Sequence, residues 1–237
     1  MNKTLILIDI EGTDASGKET QSIMLTQALK DKGLDAVDVH FPQYGLRSAT
    51  LVEDYLAGAF GSDPDKVSPY AASMFYAVDR YAAFHDVSRN LTRPEPGRSR
   101  IIVADRYTMS NAVHQCAKLP REKHRDMMEW LMDLEFKYLE QPRPDLVLFL
   151  DADPDVVQKM LRQRDGDHAL KAGIHHDIHE RNPEYMRRSR DTGLALAKTY
   201  GWTVVPVTDA DGFRDVDAIA SEILGHALRV IEDLGAD

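Results

Sequence analysis

The sequence has one cysteine, no long hydrophobic run and no excess of positive charge. Cys116 is the only cysteine, which excludes an intramolecular disulfide and a thiolate metal cluster, and a small buried side chain is its simplest interpretation. The net charge of −10 at pH 7 argues against a broad face for nucleic acid. The apolar segment before Asp9 is too short for a signal peptide, and no run approaches the length of a membrane span. We therefore expect a cytoplasmic protein with neither a nucleic-acid nor a membrane partner.

The chain also lacks the features that divide a sequence into several domains. Its 237 residues contain no long Pro/Gly/Ser linker, no low-complexity tract and no repeat at a fixed period. A chain of this length can bury one large core. The sequence predicts a single domain over residues 1–237.

A phosphate-binding loop is the strongest motif present. The apolar run Leu5–Ile8 predicts a buried strand, and the segment Gly12–Lys18 has the spacing of a loop that precedes a helix. Gly12 and Gly17 permit a tight turn that presents backbone N–H groups to an anion, and the helix dipole adds positive potential. Lys18 would then neutralise charge on the β- and γ-phosphates. A glycine turn without any ligand is the alternative.

The loop departs from the usual motif at the position after the lysine. Glu19 replaces the Ser or Thr whose hydroxyl holds Mg²⁺, so either the Glu19 carboxylate or the Thr20 hydroxyl would take that role. The predicted ATP-binding residues are Gly12, Thr13, Asp14, Ala15, Ser16, Gly17, Lys18, Glu19 and Thr20.

Apolar runs alternate with longer helical patterns along the rest of the chain. The predicted strands are Thr4–Ile10, Ala36–Phe41, Arg100–Ala104, Leu146–Leu150 and Thr203–Val207. Helices between them indicate an α/β fold, with a parallel sheet covered on both faces. Ligands bind outside the carboxyl ends of the strands in such sheets, so the residues that follow each strand are the site candidates.

The third strand ends in Asp105, which is typical of a strand that orders Mg²⁺ or its waters opposite a phosphate loop. Arg106 beside it would face a phosphate, although a capping Asp with a surface Arg is the alternative. Asn111 and Gln115 lie four residues apart and would share one face of the next helix. They could present amide groups to a base edge.

Aromatic residues could form the rest of a nucleoside pocket. Phe41, Pro42 and Tyr44 follow the second strand and would form one wall, or only an ordinary turn. Phe75 and Arg80 lie on a helix predicted from about Pro69 to Leu91. The aromatic residues of that helix could either pack in the core or stack on a base.

A polar segment over roughly 162–182 is the candidate lid. It begins with Arg162 and Arg164, which would approach the transferred phosphate on closure, or remain solvated. The run His175–Glu180 invites a metal interpretation, but neighbouring residues rarely converge on one ion, which disfavours it.

Taken in order, these residues resemble the thymidylate kinases, a branch of the nucleoside-monophosphate kinases. The resemblance covers nearly the whole chain and is carried by Gly12–Gln21, Phe41-Pro42, Phe75 with Asp79-Arg80, Asp105-Arg106-Tyr107 with Ser110 and Gln115, Leu150-Asp151, and Asp177 with Glu180. It implies a three-layer P-loop kinase fold with a five-stranded parallel sheet and a lid. It also implies a homodimer that uses Mg²⁺ with ATP to convert thymidine 5′-monophosphate (dTMP) into the diphosphate for dTTP synthesis.

The resemblance also implies roles for individual residues. Lys18, Asp105, Arg106, Arg162 and Arg164 would be catalytic, with Glu19 and Asp105 near the metal. The implied dTMP-binding residues are Asp14, Phe41, Pro42, Tyr44, Phe75, Arg80, Arg106, Ser110, Asn111, His114 and Gln115. Among these, Asp14 would approach the 3′-hydroxyl, Phe75 would stack on thymine, and Arg80 with Asn111 would read the base edge. Arg106 would bind the acceptor phosphate.

Three positions depart from the family pattern and keep two other functions open. Glu19 replaces a hydroxyl residue, Gln43 stands where many members have an Arg, and His114 stands where a Tyr often packs under the deoxyribose. One alternative is a kinase of the same fold for another nucleotide or a deoxynucleoside. The other is an ATP-binding regulatory protein without turnover.

Overall fold

The central feature of the fold is a five-stranded parallel sheet. The computed structural model describes residues 3–160 and 182–235. The strands of this sheet are β1 (Leu5–Gly12), β2 (Asp35–His40), β3 (Arg100–Asp105), β4 (Leu146–Asp151) and β5 (Thr203–Pro206). Their spatial order is β2-β3-β1-β4-β5, and every neighbouring pair is parallel. The predicted strands and the α/β class are confirmed.

Helices account for most of the remaining described chain. They are α1 (Lys18–Asp31), α2 (Thr50–Leu56), α3 (Pro69–His85), α4 (Thr108–Cys116), α5 (His124–Asp133), α6 (described over 154–160), α7 (Pro183–Tyr200) and α8 (Val216–Asp233). Short 3-10 turns cover Arg47–Ala49, Pro64–Lys66 and Arg121–Lys123, a π-helical turn covers Leu134–Tyr138, and a small hairpin joins β6 (Thr208–Asp209) to β7 (Gly212–Phe213).

The helices pack in layers on both faces of the sheet, because the strands are apolar on both sides. On one face, Ile8 of β1 belongs to the same buried cluster as Leu25 of α1 and Ile223 of α8. On the other face, Leu7 of β1 packs in a cluster with Phe84 of α3. Successive residues of β1 therefore pack against helices on opposite faces of the sheet, because side chains alternate in direction along a strand.

Two predicted helices end differently in the structure. Helix α3 ends at His85 rather than near Leu91, because the Asp86 carboxylate accepts hydrogen bonds from the Ser88 N–H at 2.9 Å and hydroxyl at 2.6 Å, which closes a turn. The apolar residues of Arg121–Tyr138 recur at helical intervals and predict one helix, but the structure has a 3-10 turn, α5 and the π-helical turn there.

The apolar residues of α5 recur at helical intervals, a pattern compatible with either a core face or a dimer interface, and in the structure this face belongs to the core. Met127, Met128 and Leu131 are buried in a cluster with α4 and α7 residues. Cys116 lies in the same cluster, and burial raises the pKa of its thiol to about 12. None of the helices in the described part is long and apolar enough to cross a membrane.

Candidate active site

The loop between β1 and α1 is wrapped around the side chain of Lys18. The Lys18 ammonium donates hydrogen bonds to the Thr13 carbonyl at 2.6 Å and to the Ser16 hydroxyl at 3.4 Å. Burial, and then the charge of Arg106, lower the pKa of Lys18 to about 8, while Asp14 and two other carboxylates act in the opposite direction. A buried cation held by a carbonyl and a hydroxyl is ready to exchange these partners for phosphate oxygens.

Position 12 requires a glycine, because neighbouring atoms at the start of this loop leave no room for a Cβ atom. Its φ is +153°, and a Cβ there would lie 2.6 Å from the Ser16 hydroxyl and 2.8 Å from the Leu150 carbonyl of the neighbouring strand. Gly17, with φ +89°, precedes the first turn of α1. The start of a helix carries backbone N–H groups without intrahelical partners and so favours an anion, and Gly17, Lys18, Glu19 and Thr20 of this helix start line a cavity.

A cavity of about 260 Å³ lies over the loop, lined by Ala15, Gly17, Lys18, Glu19, Thr20, Asp105 and Arg106. The Asp105 Oδ1 atom is buried and has no hydrogen-bond partner among the described residues. Carboxylate oxygens suit Mg²⁺, so an unsatisfied Asp105 and the exposed Glu19 fit the ion. Residues 3–160 and 182–235 contain no group of three or more His, Cys, Asp or Glu side chains placed to hold a metal. An ion would need phosphate and water oxygens to complete its coordination.

Arg106 separates this cavity from a second one. Its guanidinium is ion-paired with Asp14, donates to the Ser110 hydroxyl at 3.2 Å, and lies 3.2 Å from Nε2 of His114. Burial disfavours its charge, but Asp14, Asp105 and Glu11 raise the pKa of Arg106 above its ordinary value. Arg106 remains a cation. Its backbone has φ +66°, an uncommon value for a residue with a side chain.

The second cavity lies between α3, α4 and the loop after β2. It is lined by Asp14, Phe41, Pro42, Tyr44, Leu56, Tyr76, Arg80, Arg106, Tyr107, Ser110, Asn111, His114 and Gln115. An apolar wall, the two guanidinium groups of Arg80 and Arg106, and several amide and hydroxyl groups suit a phosphorylated nucleoside. The carboxyl ends of β1, β2 and β3 thus present two adjoining cavities that share Arg106.

Comparisons with known proteins agree with this geometry. A model of the thymidylate kinase family matches residues 10–212. The chain belongs to the thymidylate kinase family.

Individual relatives cover most of the chain. The thymidylate kinase of Mycobacterium tuberculosis (strain CDC 1551 / Oshkosh) is 30% identical over 201 residues, which are 83% of this chain and 87% of that protein. The thymidylate kinase of Ruegeria pomeroyi is 26% identical and covers 94% of both chains. The solved thymidylate kinase structure from Candida albicans aligns with a TM-score of 0.64 over 97% of this chain and 94% of that one, at 20% identity, and shows the shared fold.

This protein is accordingly an enzyme that transfers a phosphoryl group from ATP to dTMP. Ten of the eleven residues expected to bind dTMP in a thymidylate kinase line the second cavity. The exception is Phe75.

Tyr76 occupies the position that the sequence analysis gave to Phe75. The Phe75 ring packs against Phe60, with ring centroids 5.3 Å apart, and against Tyr55 at 6.5 Å. Tyr76 instead lines the cavity together with Arg80. Residues four apart share a helix face, whereas residues five apart do not. The four-residue spacing between Tyr76 and Arg80 therefore favours Tyr76 over Phe75 as the aromatic residue that faces the cavity.

Two residues expected to read the base edge already have partners within the protein. Arg80 is only 1% exposed, and its guanidinium is ion-paired with the buried Glu135 and donates to the Tyr107 carbonyl at 3.4 Å. The Asn111 amide donates to the Ser73 carbonyl at 3.2 Å. The Gln115 Oε1 atom, by contrast, is buried and has no hydrogen-bond partner among the described residues.

Gln43, which replaces a frequent family arginine, is structural in this protein. It is buried, its backbone N–H donates to Asp79 at 2.7 Å, and its amide oxygen accepts from Arg89. Asp79 also accepts from the Ser48 hydroxyl at 2.6 Å. These bonds fix the loop after β2 against α3 and so position the wall of the cavity.

His114 is fixed in position by contacts with Tyr185 of α7. Its backbone carbonyl accepts a hydrogen bond from the Tyr185 hydroxyl at 2.9 Å, and the two rings lie nearly parallel with centroids 6.1 Å apart. The side chain is 7% exposed and lines the second cavity.

Two acidic residues of the site were missed from sequence. Asp9 and Glu11 are completely buried on β1, with Glu11 near Arg106 and Asp9 near Arg80. The signal was available, because Leu7, Asp9 and Glu11 alternate with Ile6, Ile8 and Ile10 and must face the same layer. The proposed lid arginines Arg162 and Arg164, and the His175–Glu180 run, lie outside the described residues.

Proposed function

We propose that phosphoryl transfer takes place where the two cavities meet, with ATP over the β1–α1 loop and dTMP between α3 and α4. The observation that carries this proposal is that Arg106 lines both cavities. The acceptor phosphate of dTMP is itself a nucleophile, so no covalent intermediate is needed. The protein contributes placement, charge neutralisation and exclusion of water.

On the donor side, the loop amides and Lys18 bind the ATP phosphates. Lys18 releases Thr13 and Ser16 and donates to the β- and γ-phosphates, whose negative charge raises its lowered pKa. Lys18 thereby stabilises charge that moves to the bridging oxygen during transfer. From the sequence, we also propose that the lid arginines Arg162 and Arg164 approach the transferred phosphate. The whole chain, residues 1–237, forms a single domain in this proposal.

Mg²⁺ would be held with ATP by Asp105 and Glu19, together with phosphate and water oxygens. When bound, it supplies further neutralisation of the phosphate charge. The unsatisfied Asp105 Oδ1 supports this assignment. Arg106 and Lys18 supply the remaining positive charge from the protein.

On the acceptor side, Arg106 binds the phosphate and Tyr76 contacts the base. Gln115 offers an unsatisfied amide oxygen that can accept a hydrogen bond from thymine N3–H. Asp14, Ser110 and His114 surround the sugar, and Phe41, Pro42 and Tyr44 form the opposite wall. Arg80 and Asn111 hold the pocket in shape through Glu135 and Ser73 and present their remaining surface to the base.

The enzyme is a homodimer in this proposal. The outer face of α3 carries Tyr70, Met74, Val78 and Tyr81, which are 39% to 49% exposed and spaced at three or four residues. An apolar stripe of this kind on a helix of a folded domain is suited to burial against the same stripe of a second copy. Because both substrates are nucleotides of the cytoplasm, we also place the enzyme there, with no nucleic-acid or membrane partner.

A substrate panel tests the proposal. ADP release is measured with Mg²⁺-ATP and the monophosphates of thymidine, deoxyuridine, uridine, deoxycytidine and deoxyguanosine, with thymidine itself as the nucleoside control. We expect strong preference for dTMP. Preference for another acceptor would identify a change of substrate at His114 or Gln43, and ATP binding without ADP release would identify a regulatory protein.

A further inference from the structure

Asp9 is a buried acid in the middle of the central strand. It is 0% exposed, as is Glu11 two residues later, and both side chains point to the α3–α4 side of the sheet. Central strands of parallel sheets are normally apolar on both faces, and an unpaired carboxylate in such a place is costly. Neither Asp9 oxygen has a hydrogen-bond donor among the described residues.

Arg80 and the Met109 amide favour a charge on Asp9, but burial and Glu11 disfavour that charge more strongly. The groups that face Asp9 are Glu11 on the same strand, Arg80 from α3, and Tyr107 with the Met109 amide at the start of α4. Arg80 is already committed to Glu135 through hydrogen bonds from both Nε and Nη2. In the part of the chain that the structure describes, Asp9 and Glu11 therefore have no cation of their own beyond Arg106, which lies on the Glu11 side.

A proton shared between the Asp9 and Glu11 carboxyl groups would remove the repulsion between two buried negative charges. Asp9 and Glu11 lie two residues apart on the same face of β1, both completely buried, and a hydrogen bond between their carboxyl groups requires that one of them is protonated. Burial, and then Glu11, raise the pKa of Asp9 well above its ordinary value. Burial also raises the pKa of Glu11, but Arg106, the Ser110 hydroxyl and the Tyr107 N–H favour its charged form. The proton belongs on Asp9.

Glu11 in turn fixes the backbone around Arg106. Its two oxygens accept hydrogen bonds from the Tyr107 N–H at 2.9 Å and the Ser110 hydroxyl at 2.7 Å. The Arg106 N–H donates to the Ile10 carbonyl at 3.1 Å. These bonds from consecutive residues to β1 hold Arg106 at its positive φ, and Ser110 also accepts from the guanidinium itself.

We propose that Asp9 is a neutral carboxylic acid that donates a hydrogen bond to Glu11 and thereby acts as a positioning residue for Arg106. This inference rests on the proposed role of Arg106 in binding the acceptor phosphate. A neutral donor keeps Glu11 charged and oriented without placing a second negative charge behind the phosphate site. An apolar residue at position 9 would preserve the packing but not the donor.

The experiment compares Asp9→Asn, which keeps a neutral donor of the same shape, with Asp9→Val, which removes it. Isotope-edited infrared spectroscopy with ¹³C-labelled aspartate should detect a protonated aspartic C=O stretch at neutral pH in the unmodified enzyme, and this band should be lost in both variants. The KM for dTMP should stay within about twofold in Asp9→Asn and rise about fivefold in Asp9→Val, as expected for one lost hydrogen bond. The thermal midpoint of Asp9→Val should not fall, because no buried carboxyl group remains to be desolvated.

Several outcomes would overturn the inference. The absence of a protonated aspartate band, its persistence in Asp9→Asn, or an unchanged KM in Asp9→Val would each do so. If Asp9→Val does not fold, the spectrum and the KM of Asp9→Asn decide the question. An Arg106→Ala variant separates the two proposals, because an unchanged KM there would reject the role of Arg106 whatever the state of Asp9.

Discussion

The guanidinium of Arg106 is ion-paired with the carboxylate of Asp14 and so joins the end of β3 to the phosphate loop. A phosphate that binds Arg106 competes with Asp14 for the same donors, which links acceptor binding to the loop proposed to hold ATP.

We expect Arg106→Ala to raise the KM for dTMP about 10- to 100-fold, the range for a charge-assisted hydrogen bond to a phosphate. Steady-state kinetics at saturating ATP measures this. Arg125→Ala, whose side chain is 79% exposed on α5, serves as the control. An equal effect in both variants would count against a specific role.

Lys18→Ala should reduce turnover by about 10²- to 10³-fold while leaving the fold intact. The fold should tolerate the change, because the charge of Lys18 is already disfavoured by burial. Turnover is measured at saturating substrates and the fold by thermal unfolding. Lys30→Ala, at the exposed end of the same helix, should keep normal turnover. A Lys18→Ala enzyme with near-normal turnover would remove the basis of the proposed donor site.

Tyr76 and Phe75 form a matched pair of adjacent aromatic residues with different expected effects. Tyr76→Ala should raise the KM for dTMP about tenfold through lost contact with the base, and it should also lower stability, because the Tyr76 ring packs edge-on against Tyr55 with centroids 6.4 Å apart. Phe75→Ala should lower only the free energy of unfolding, by roughly 1–3 kcal/mol, since its ring packs between Phe60 and Tyr55. Kinetics and chemical denaturation of both variants distinguish these outcomes. The opposite pattern would restore Phe75 as the base contact.

Lys118 should make stability depend on pH. It is mostly buried and bonded to the Tyr55 hydroxyl at 2.8 Å, and burial lowers its pKa to about 8, against an ordinary value of 10.5. Between those two values the unfolded chain binds more protons than the folded one, so the free energy of unfolding rises with pH. Over pH 8 to 9.5 its contribution is about 2 kcal/mol.

Lys118→Met should remove that part of the slope and leave the part due to Lys18, whose pKa is lowered similarly. Denaturant unfolding at several pH values measures both slopes. Lys123→Met, at a 60% exposed side chain, should keep the full slope. A slope unchanged in Lys118→Met would mean that this lysine titrates normally.

Val78→Glu should convert the proposed homodimer into a monomer, because it places a charge in the centre of the apolar stripe on α3. Sedimentation velocity at several concentrations measures the change. Val87→Glu is the control, since Val87 is 94% exposed just beyond the end of α3. A protein that is monomeric before any substitution would exclude the proposed interface.

Local patterns were sufficient to predict the sheet and the phosphate loop. A run such as Ile101–Asp105 between helical segments carries its own strand signal, and Gly12 and Gly17 mark a turn that few other residues allow. The rule that ligands lie beyond the carboxyl ends of parallel strands then selected Asp105 and Arg106 correctly as neighbours of the loop.

Other features depend on tertiary partners that sequence did not reveal. The engagement of Arg80 by Glu135, 55 positions away in the chain, cannot be read from either helix alone. The early end of α3 depended on one side-chain bond at Asp86. The resemblance to the family suggested Phe75 as the base contact, whereas the cavity is lined by Tyr76, and the predicted strand Thr4–Ile10 included Asp9 but gave no role to its buried carboxyl group.

In the proposed assignment, the strand order also separates the sites of the two substrates along the chain. β1 lies in the middle of the sheet, and the residues that line the acceptor cavity beyond Asp14 come from positions 41 to 115, all on the β2–β3 side. The residues around the ATP cavity come from the β1–α1 loop and the end of β3. Among the described residues, Arg106 alone belongs to both sets. Mutations that retune the choice of nucleobase or sugar can therefore accumulate over evolution without eroding the machinery for ATP, provided that this one residue is retained.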